Sequence, residues 1–329
     1  MVSGFCNFLK NFIRNFNLYS CMNNRIAVMD LGTNTFHLLI AEVENSTARE
    51  VYHTQEPVKL GEGGINKGFI QPEAFVRGIN AMLHFAGHIK ANNAATVKCI
   101  ATSMLRNAAN GAQFIDEVKA QTGIQIELID GQQEAAYIYE GVKASGCLPD
   151  DNSLIMDIGG GSIEFILCTD EQILWKQSFE IGAARMMDKF HREDPITPEC
   201  INELHQYLEQ TLPDLFSAVA QNPVGKLIGS AGAFETFAEV IELENRRIFD
   251  IKQTHSYDFD LRDFIDTTDI IIRSNYQERS QMKGVIPLRV DMIVVASLIT
   301  RFVMDKLRIS NVGMSTYSLK EGVLAGMIT

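Results

Sequence analysis

Short apolar runs broken by turn residues set the rhythm of this chain. Arg25 to Asp30 is one such run and Phe36 to Val43 another, and the loop LGTNT between them predicts a strand–turn–strand unit. A third strand is expected near Glu50 to Val58, followed by Gly61 to Gly68, where four glycines in eight residues predict a mobile loop. From Pro72 to Lys90 the positions Val76, Ile79, Leu83 and Ala86 mark a helix face. Thr96 to Ala101 reads as a strand, Gly111 to Gln121 as a helix and Ile124 to Ile129 as a strand. Asp130 then has the chemistry of a helix N-cap, with Gln133 where a capping box needs it, and the helix runs to Gly146.

After the turn cluster Pro149 to Asn152 the pattern restarts. Leu154 to Asp157 is apolar and ends in Asp, a Gly-rich loop follows, and Ile163 to Cys168 is apolar again. A shift of 127 positions lays Asp30 on Asp157, Gly32 on Gly159, Thr35 on Ser162 and His37 on Glu164. This is an internal repeat of one strand–loop–strand unit, which implies two similar half-molecules facing each other. Further elements are a strand at Ile173 to Phe179, helices at Pro198 to Ala220 and Leu261 to Ser274, and a strand at Lys226 to Ser230 between them. An apolar helix from Pro287 to Leu307, a strand at Ile309 to Gly313 and a helix over Leu319 to Met327 complete the chain. Strands alternating with helices argue α/β throughout.

The 329 residues suffice for two domains. A net charge of −12 argues against a broad basic surface, so neither nucleic acid nor an anionic membrane is expected as a partner. The six cysteines form no CxxC pair, and Cys99 and Cys168 read as small buried hydrophobes in a reducing compartment. No apolar run is long enough for a membrane span, which together with the cysteines predicts a cytoplasmic protein. Residues 1–21 carry Phe5, Leu9, Phe12 and Phe16 at helical spacing, interrupted by Lys10 and Arg14. We read them as an extension outside the domain that opens after Met22 rather than as a signal peptide.

The repeated loops carry the candidate chemistry. In Asp157-Ile-Gly-Gly-Gly-Ser162 the glycines Gly159, Gly160 and Gly161 let backbone N–H groups cradle an anion, and Ser162 adds a hydroxyl. An Asp at the strand end can hold a divalent cation, directly or through water. Alternation puts Glu164 on the same side as Ser162, amid apolar neighbours where a charge needs a partner. The first copy has Gly32 and three side-chain donors, Thr33, Asn34 and Thr35. A third loop, with Gly229, Ser230 and Gly232, follows a strand and could place another anion nest at a helix start.

DLGTNTFHLLI, ATSMLRNAANGAQF, GQQEAAYIYEGV, DIGGGSIEFIL and GVIPLRVDMI resemble, in order, the motifs of the exopolyphosphatase / guanosine-pentaphosphate phosphohydrolase family. The first and fourth are shared with the wider actin-like superfamily. The resemblance implies an α/β fold of two ribonuclease H-like domains, with mixed sheets flanked by helices and the active site in the cleft between them. Domain I would span residues 22–130, completed by the helix at 315–329, and domain II residues 131–314. Glu134 would be the general base, Arg106 a phosphate contact, and Asp30, Asp157 and Glu164 would hold Mg²⁺. Polyphosphate or a guanosine penta- or tetraphosphate would be the substrate, and a homodimer stays open. Where relatives often carry Glu, this chain has Gln133, and Ala231 and Ala233 replace hydroxyl residues in the third loop. An actin-like kinase or ATPase, or a silent sensor of alarmone or polyphosphate, are the competing readings.

Overall fold

The computed structural model describes residues 24–230 and 232–328, so the reading of residues 1–21 lies outside the described residues. Two mixed sheets organise the chain. The first has the order β3-β2-β1-β4-β5, built from β1 (Arg25–Leu31), β2 (Phe36–Glu44), β3 (Thr47–Glu56), β4 (Thr96–Ala101) and β5 (Ile126–Leu128). The second has the order β10-β11-β9-β6-β7-β8. Its strands are β6 (Ser153–Ile158), β7 (Ile163–Cys168), β8 (Ile173–Phe179), β9 (Lys226–Ser230), β10 (Ser256–Asp258) and β11 (Val312–Ser315).

The sequence repeat is a structural one. β1 pairs antiparallel with β2 and β6 with β7, and in each hairpin the strand-end Asp faces the repeat-related residue: Asp30 opposite His37, Asp157 opposite Glu164. β1 then pairs in parallel with β4, as β6 does with β9. Parallel pairs need long crossovers. The first is supplied by α1 (Pro72–Ala91) and the second by α5 (Ala183–Phe190), α6 (Pro198–Thr211) and α7 (Pro213–Gln221).

Alternation along the strands divides the core. Ala27, Met29 and Leu31 of β1 pack into one apolar cluster with α1, α2 (Ser103–Asn107) and α3 (Gly111–Thr122). Leu154 and Met156 of β6 join another with α5 to α7, α8 (Gly232–Glu244), α9 (Leu261–Arg273) and α11 (Ile293–Leu307). The opposite faces, through Val28, Ile100, Ile155, Ile166 and Ile228, share a third cluster with α4 (Gly131–Ala144) and the C-terminal α12 (Leu319–Ile328). Those two helices therefore form a layer to which both sheets contribute. They approach closely because Gly141 and Gly322 lie at their crossing; a Cβ on Gly322 would overlap the Tyr137 carbonyl, and one on Gly141 the Ser318 carbonyl.

Several expectations need correction. Ile79 is buried as expected, but Val76 and Leu83 are exposed, and α1 packs with Ala74, Gly78, Met82, Phe85 and Ile89 beside it, with Gly78 under the ring of Phe114. Pro213 cannot continue a helix, so 198–220 splits into α6 and α7. The segment before Ile293 is a series of turns after the short α10 (Tyr276–Gln281), which the pattern did not reveal. Gly61 to Gly68 is a hydrogen-bonded turn with a 3₁₀ segment at Ile65–Lys67, tied by the Gly61 N–H to the Thr33 carbonyl. It is a packed brace rather than a free flap: Asn66 donates to the Arg185 carbonyl and to Asp188.

Candidate active site

Asp30, Asp157 and Glu164 occupy strand positions in phase with Val28, Ile155 and Ile166, the residues that join the cluster of α4 and α12. Strand alternation thus turns all three carboxylates toward the layer into which those two helices bring Glu134 and Lys320. The start of α4 rests directly on β8, because Gly131 leaves no room for a Cβ beside Ser178. Ser178 is the cross-strand neighbour of Glu164 and donates to its Oε1 at 2.6 Å. Asp130 caps α4 by accepting from the Gln133 N–H at 2.8 Å. The capping box is only half made: the Gln133 side chain is exposed and bonds the Tyr137 hydroxyl. Its neighbour Glu134 is buried, 5 % exposed, and accepts from Arg106 Nη1 at 3.2 Å. The inward carboxylate is therefore Glu134, and the Glu-to-Gln departure at 133 falls on the outward side.

Arg106 comes from α2, directly after β4. Its Nη1 also donates to the Ile129 carbonyl at 2.9 Å, and its Nη2 to Glu180 at 3.3 Å. A guanidinium fixed on three sides keeps its fork aimed without further ordering cost.

The two repeat loops touch. Space for a Cβ on Gly160 is closed by Thr33 at 3.1 Å, and on Gly161 by Thr33 Oγ1 at 2.6 Å and Ser103 Oγ at 2.5 Å. The first loop's approach thus bears on Gly160 and Gly161, while a Cβ on Gly159 would meet the Ser162 carbonyl of its own loop. Thr33 Oγ1 and Asp30 Oδ1 are both buried without a hydrogen-bond partner. Orphaned polar atoms at a loop junction mark a place where a ligand or water completes the bonding. Asn34 turns its amide to Met292, and Thr35 uses its carbonyl to accept from the Gly32 N–H at 3.1 Å. Ser162 is buried and bonds Glu164.

The third loop departs from expectation. Gly229 is an interior strand residue whose missing side chain makes room for the Phe234 ring. Its backbone belongs to the sheet, paired with strands on both sides. Ser230 donates to Asp157 Oδ2 at 2.7 Å and so orients that carboxylate. Gly232, with φ of 53°, serves the strand-to-helix turn that opens α8.

Electrostatically the layer is short of positive charge. Burial pushes Asp30 up to about 7, with Lys320 pulling it down and Asp157 adding to the rise. Burial likewise pushes Asp157 up to about 6, opposed by the Ser230 hydrogen bond and Lys320. Glu164 and Glu134 are raised by burial and then by neighbouring carboxylates, Asp157 for the first and Glu164 for the second. Arg106 offsets Glu134, and Lys320 acts on Asp30 and Asp157, while Glu321 and Glu235 add further negative charge nearby. No three His, Cys, Asp or Glu side chains among the described residues gather into one metal-holding group. The chemistry of these carboxylates, with Asp30 Oδ1 buried and without a partner, fits a hard cation held by one or two carboxylates and its own waters, as Mg²⁺ is commonly bound.

Residues 39–329 match the sequence profile of the Ppx/GppA phosphatase family. The chain belongs to this family. A putative exopolyphosphatase of Haemophilus influenzae is 29% identical over 300 residues, covering 91% of this chain and 90% of that protein. The crystal structure of an exopolyphosphatase from Cytophaga hutchinsonii superposes with a TM-score of 0.90 at 39% identity, over 92% of this chain and 97% of that one. The PPX-GPPA enzyme of Aquifex aeolicus shares the fold, with a TM-score of 0.75 at 24% identity and coverage of 92% and 99%. Family membership and the two-sheet architecture agree with the actin-like fold that the family resemblance implies.

Sequence reasoning missed Lys320, Glu180 and Arg185. Lys320 is buried in the first turn of α12, paired with Glu321 at 3.0 Å, and faces Asp30 and Asp157 electrostatically. Nothing local distinguishes it from a surface lysine. His37 is half-buried and stacked on His53, with ring centroids 6.1 Å apart. The described cysteines, Cys99 and Cys168 among them, are free thiols. Among the described residues no helix is long and apolar enough to cross a membrane.

Proposed function

We propose that the protein hydrolyses the terminal phosphoanhydride of short inorganic polyphosphate or the 5′-phosphate of pppGpp, with Mg²⁺ as cofactor. The observation that carries this reading is the buried Glu134–Arg106 pair beside the junction of the two loops. Arg106 holds an oxygen of the terminal phosphoryl group, and Glu134, one hydrogen bond away, takes a proton from the attacking water. Backbone N–H groups of Gly159 to Gly161, with the hydroxyls of Thr33 and Thr35, hold the remaining oxygens.

In the free protein burial, and then Glu164, push the Glu134 carboxyl well above its usual range, against the pull of Arg106. Positive charge entering the layer with the substrate would favour the ionised form that a base needs. Mg²⁺ on Asp30 and Asp157, with Glu164 behind them, would supply that charge and neutralise phosphate oxygens. Glu134 attacks nothing itself, so no covalent intermediate is required. The exopolyphosphatases among the relatives support polyphosphate as the substrate class. The acidic balance of the chain, −12, favours short chains over a long polyanion that would need a sustained basic track. The test is phosphate release from polyphosphates of defined length, pppGpp and ATP, with and without Mg²⁺. Release from short polyphosphate or pppGpp, dependent on Mg²⁺, is expected. ADP formation only with an added acceptor would establish a kinase instead, and tight binding without release a sensor.

A further inference from the structure

Glu180, in the link from β8 to α5, draws donors from both halves of the chain. Its Oε2 accepts from the Ser103 hydroxyl at 2.6 Å and from Arg185 Nη2 at 2.7 Å, and its Oε1 accepts from Arg106 Nη2 at 3.3 Å. Asn107 adds a further bond. The carboxylate is 42% exposed, whereas the arginine side chains are only 21% and 15% exposed. Cations are thus fixed from behind while the anion between them is open to solvent.

Each cation is held independently of Glu180. Arg185 donates through Nε to the Gly161 carbonyl at 3.0 Å and through Nη1 to the Ile65 carbonyl at 3.2 Å. Arg106 is anchored on Ile129 and Glu134. If Glu180 swung outward, two preformed guanidinium edges, a hydroxyl and an amide would remain, converging on one point. That donor set suits a tetrahedral oxyanion at least as well as a carboxylate. The point adjoins the second glycine loop through Gly161 and the proposed reacting position through Arg106.

We propose that Ser103, Asn107, Arg106 and Arg185 form a subsite for the phosphoryl group next along the chain from the reacting one, and that Glu180 occupies this subsite in the free enzyme. The inference rests on the function proposed above. Substrate displaces the carboxylate, so part of the affinity of the cluster for phosphate is offset by the loss of the Glu180 contacts. Against the upward push of burial, these hydrogen bonds and the two guanidinium charges hold Glu180 below the usual carboxylate range, so the competitor stays charged at neutral pH.

Tripolyphosphate binding, measured by calorimetry without divalent cation, tests this apart from turnover. Glu180→Gln and Glu180→Ala should bind about tenfold more tightly than the parent, ~1.4 kcal/mol. The gain should vanish in the Arg185→Ala background, where a long-range charge effect would persist. Unchanged melting temperatures would confirm that both variants fold. Parent-like affinity in the variants, or a gain that survives Arg185→Ala, overturns the inference alone. Weaker binding also overturns it, since Glu180 would then be positioning the arginines for substrate. Absence of tripolyphosphate binding in the parent and all variants, both without divalent cation and with Mg²⁺, would overturn the proposed function and this inference together.

Discussion

Replacing Asp30 by Asn should stabilise the metal-free protein while impairing it, and the effect should depend on pH. Asp30 is half-buried, its Oδ1 is buried without a partner, and burial pushes its carboxyl from 3.8 to about 7. A group raised in the fold keeps its proton there while the unfolded chain releases it. Stability is thus fully present below the unfolded value and is lost as pH climbs through the folded one, from about 4 to about 7. At about 1.4 kcal/mol per pH unit, the ionised group costs the fold on the order of 3–4 kcal/mol at neutral pH. Asn keeps the shape and removes the titration. In EDTA the variant should melt roughly 5–10 °C above the parent at pH 7.5, and no higher than the parent at pH 4.5. Mg²⁺ should narrow the difference at pH 7.5 by stabilising the parent. Thermal melts at the two pH values provide the assay. A difference of the same sign and size at both would refute the reasoning, because it would show that packing rather than buried charge separates the two proteins.

Three further outcomes follow from other contacts. Gly322→Ala forces a Cβ into the Tyr137 carbonyl where α4 and α12 cross, and should cost about 1–3 kcal/mol in urea unfolding. Arg106→Lys keeps the charge but loses the fork that reaches Ile129, Glu134 and Glu180 together, so activity should fall at least about tenfold without loss of fold, read by steady-state kinetics beside circular dichroism. Gly161→Ala meets Ser103 and Thr33 at the loop junction and should weaken tripolyphosphate binding in calorimetry, with a smaller effect on stability than Gly322→Ala.

Much of this architecture was legible because it is local. β4 and β9 end where the apolar runs end, and the repeat survives in space as equal hairpin registers, Asp30 on His37 and Asp157 on Glu164. Strand alternation also anticipated that Ser162 and Glu164 share a side. The buried face of α1 was less legible because its small and large apolar residues fit more than one helical stripe. Only packing of Gly78 on Phe114 chooses between them. Helix α5 interleaves Arg185, Asp188 and Lys189 with Met186 and Phe190 in too short a span to announce itself. Gly229 looked like a loop glycine and is a packing glycine, a distinction set by Phe234 five residues on. Glu180, Arg185 and Lys320 act through partners far away in sequence, and contacts of that kind leave no periodic trace.

The central claim is that Glu134 activates water for attack on a terminal phosphoryl group. The most direct measurement is phosphate release from short polyphosphate in Mg²⁺ by the parent and by Glu134→Gln, with tripolyphosphate binding followed on the same samples. The account predicts a fall in turnover of about 10²- to 10⁴-fold, the usual worth of a general base, with binding retained. Near-parental turnover by the Gln protein would contradict it.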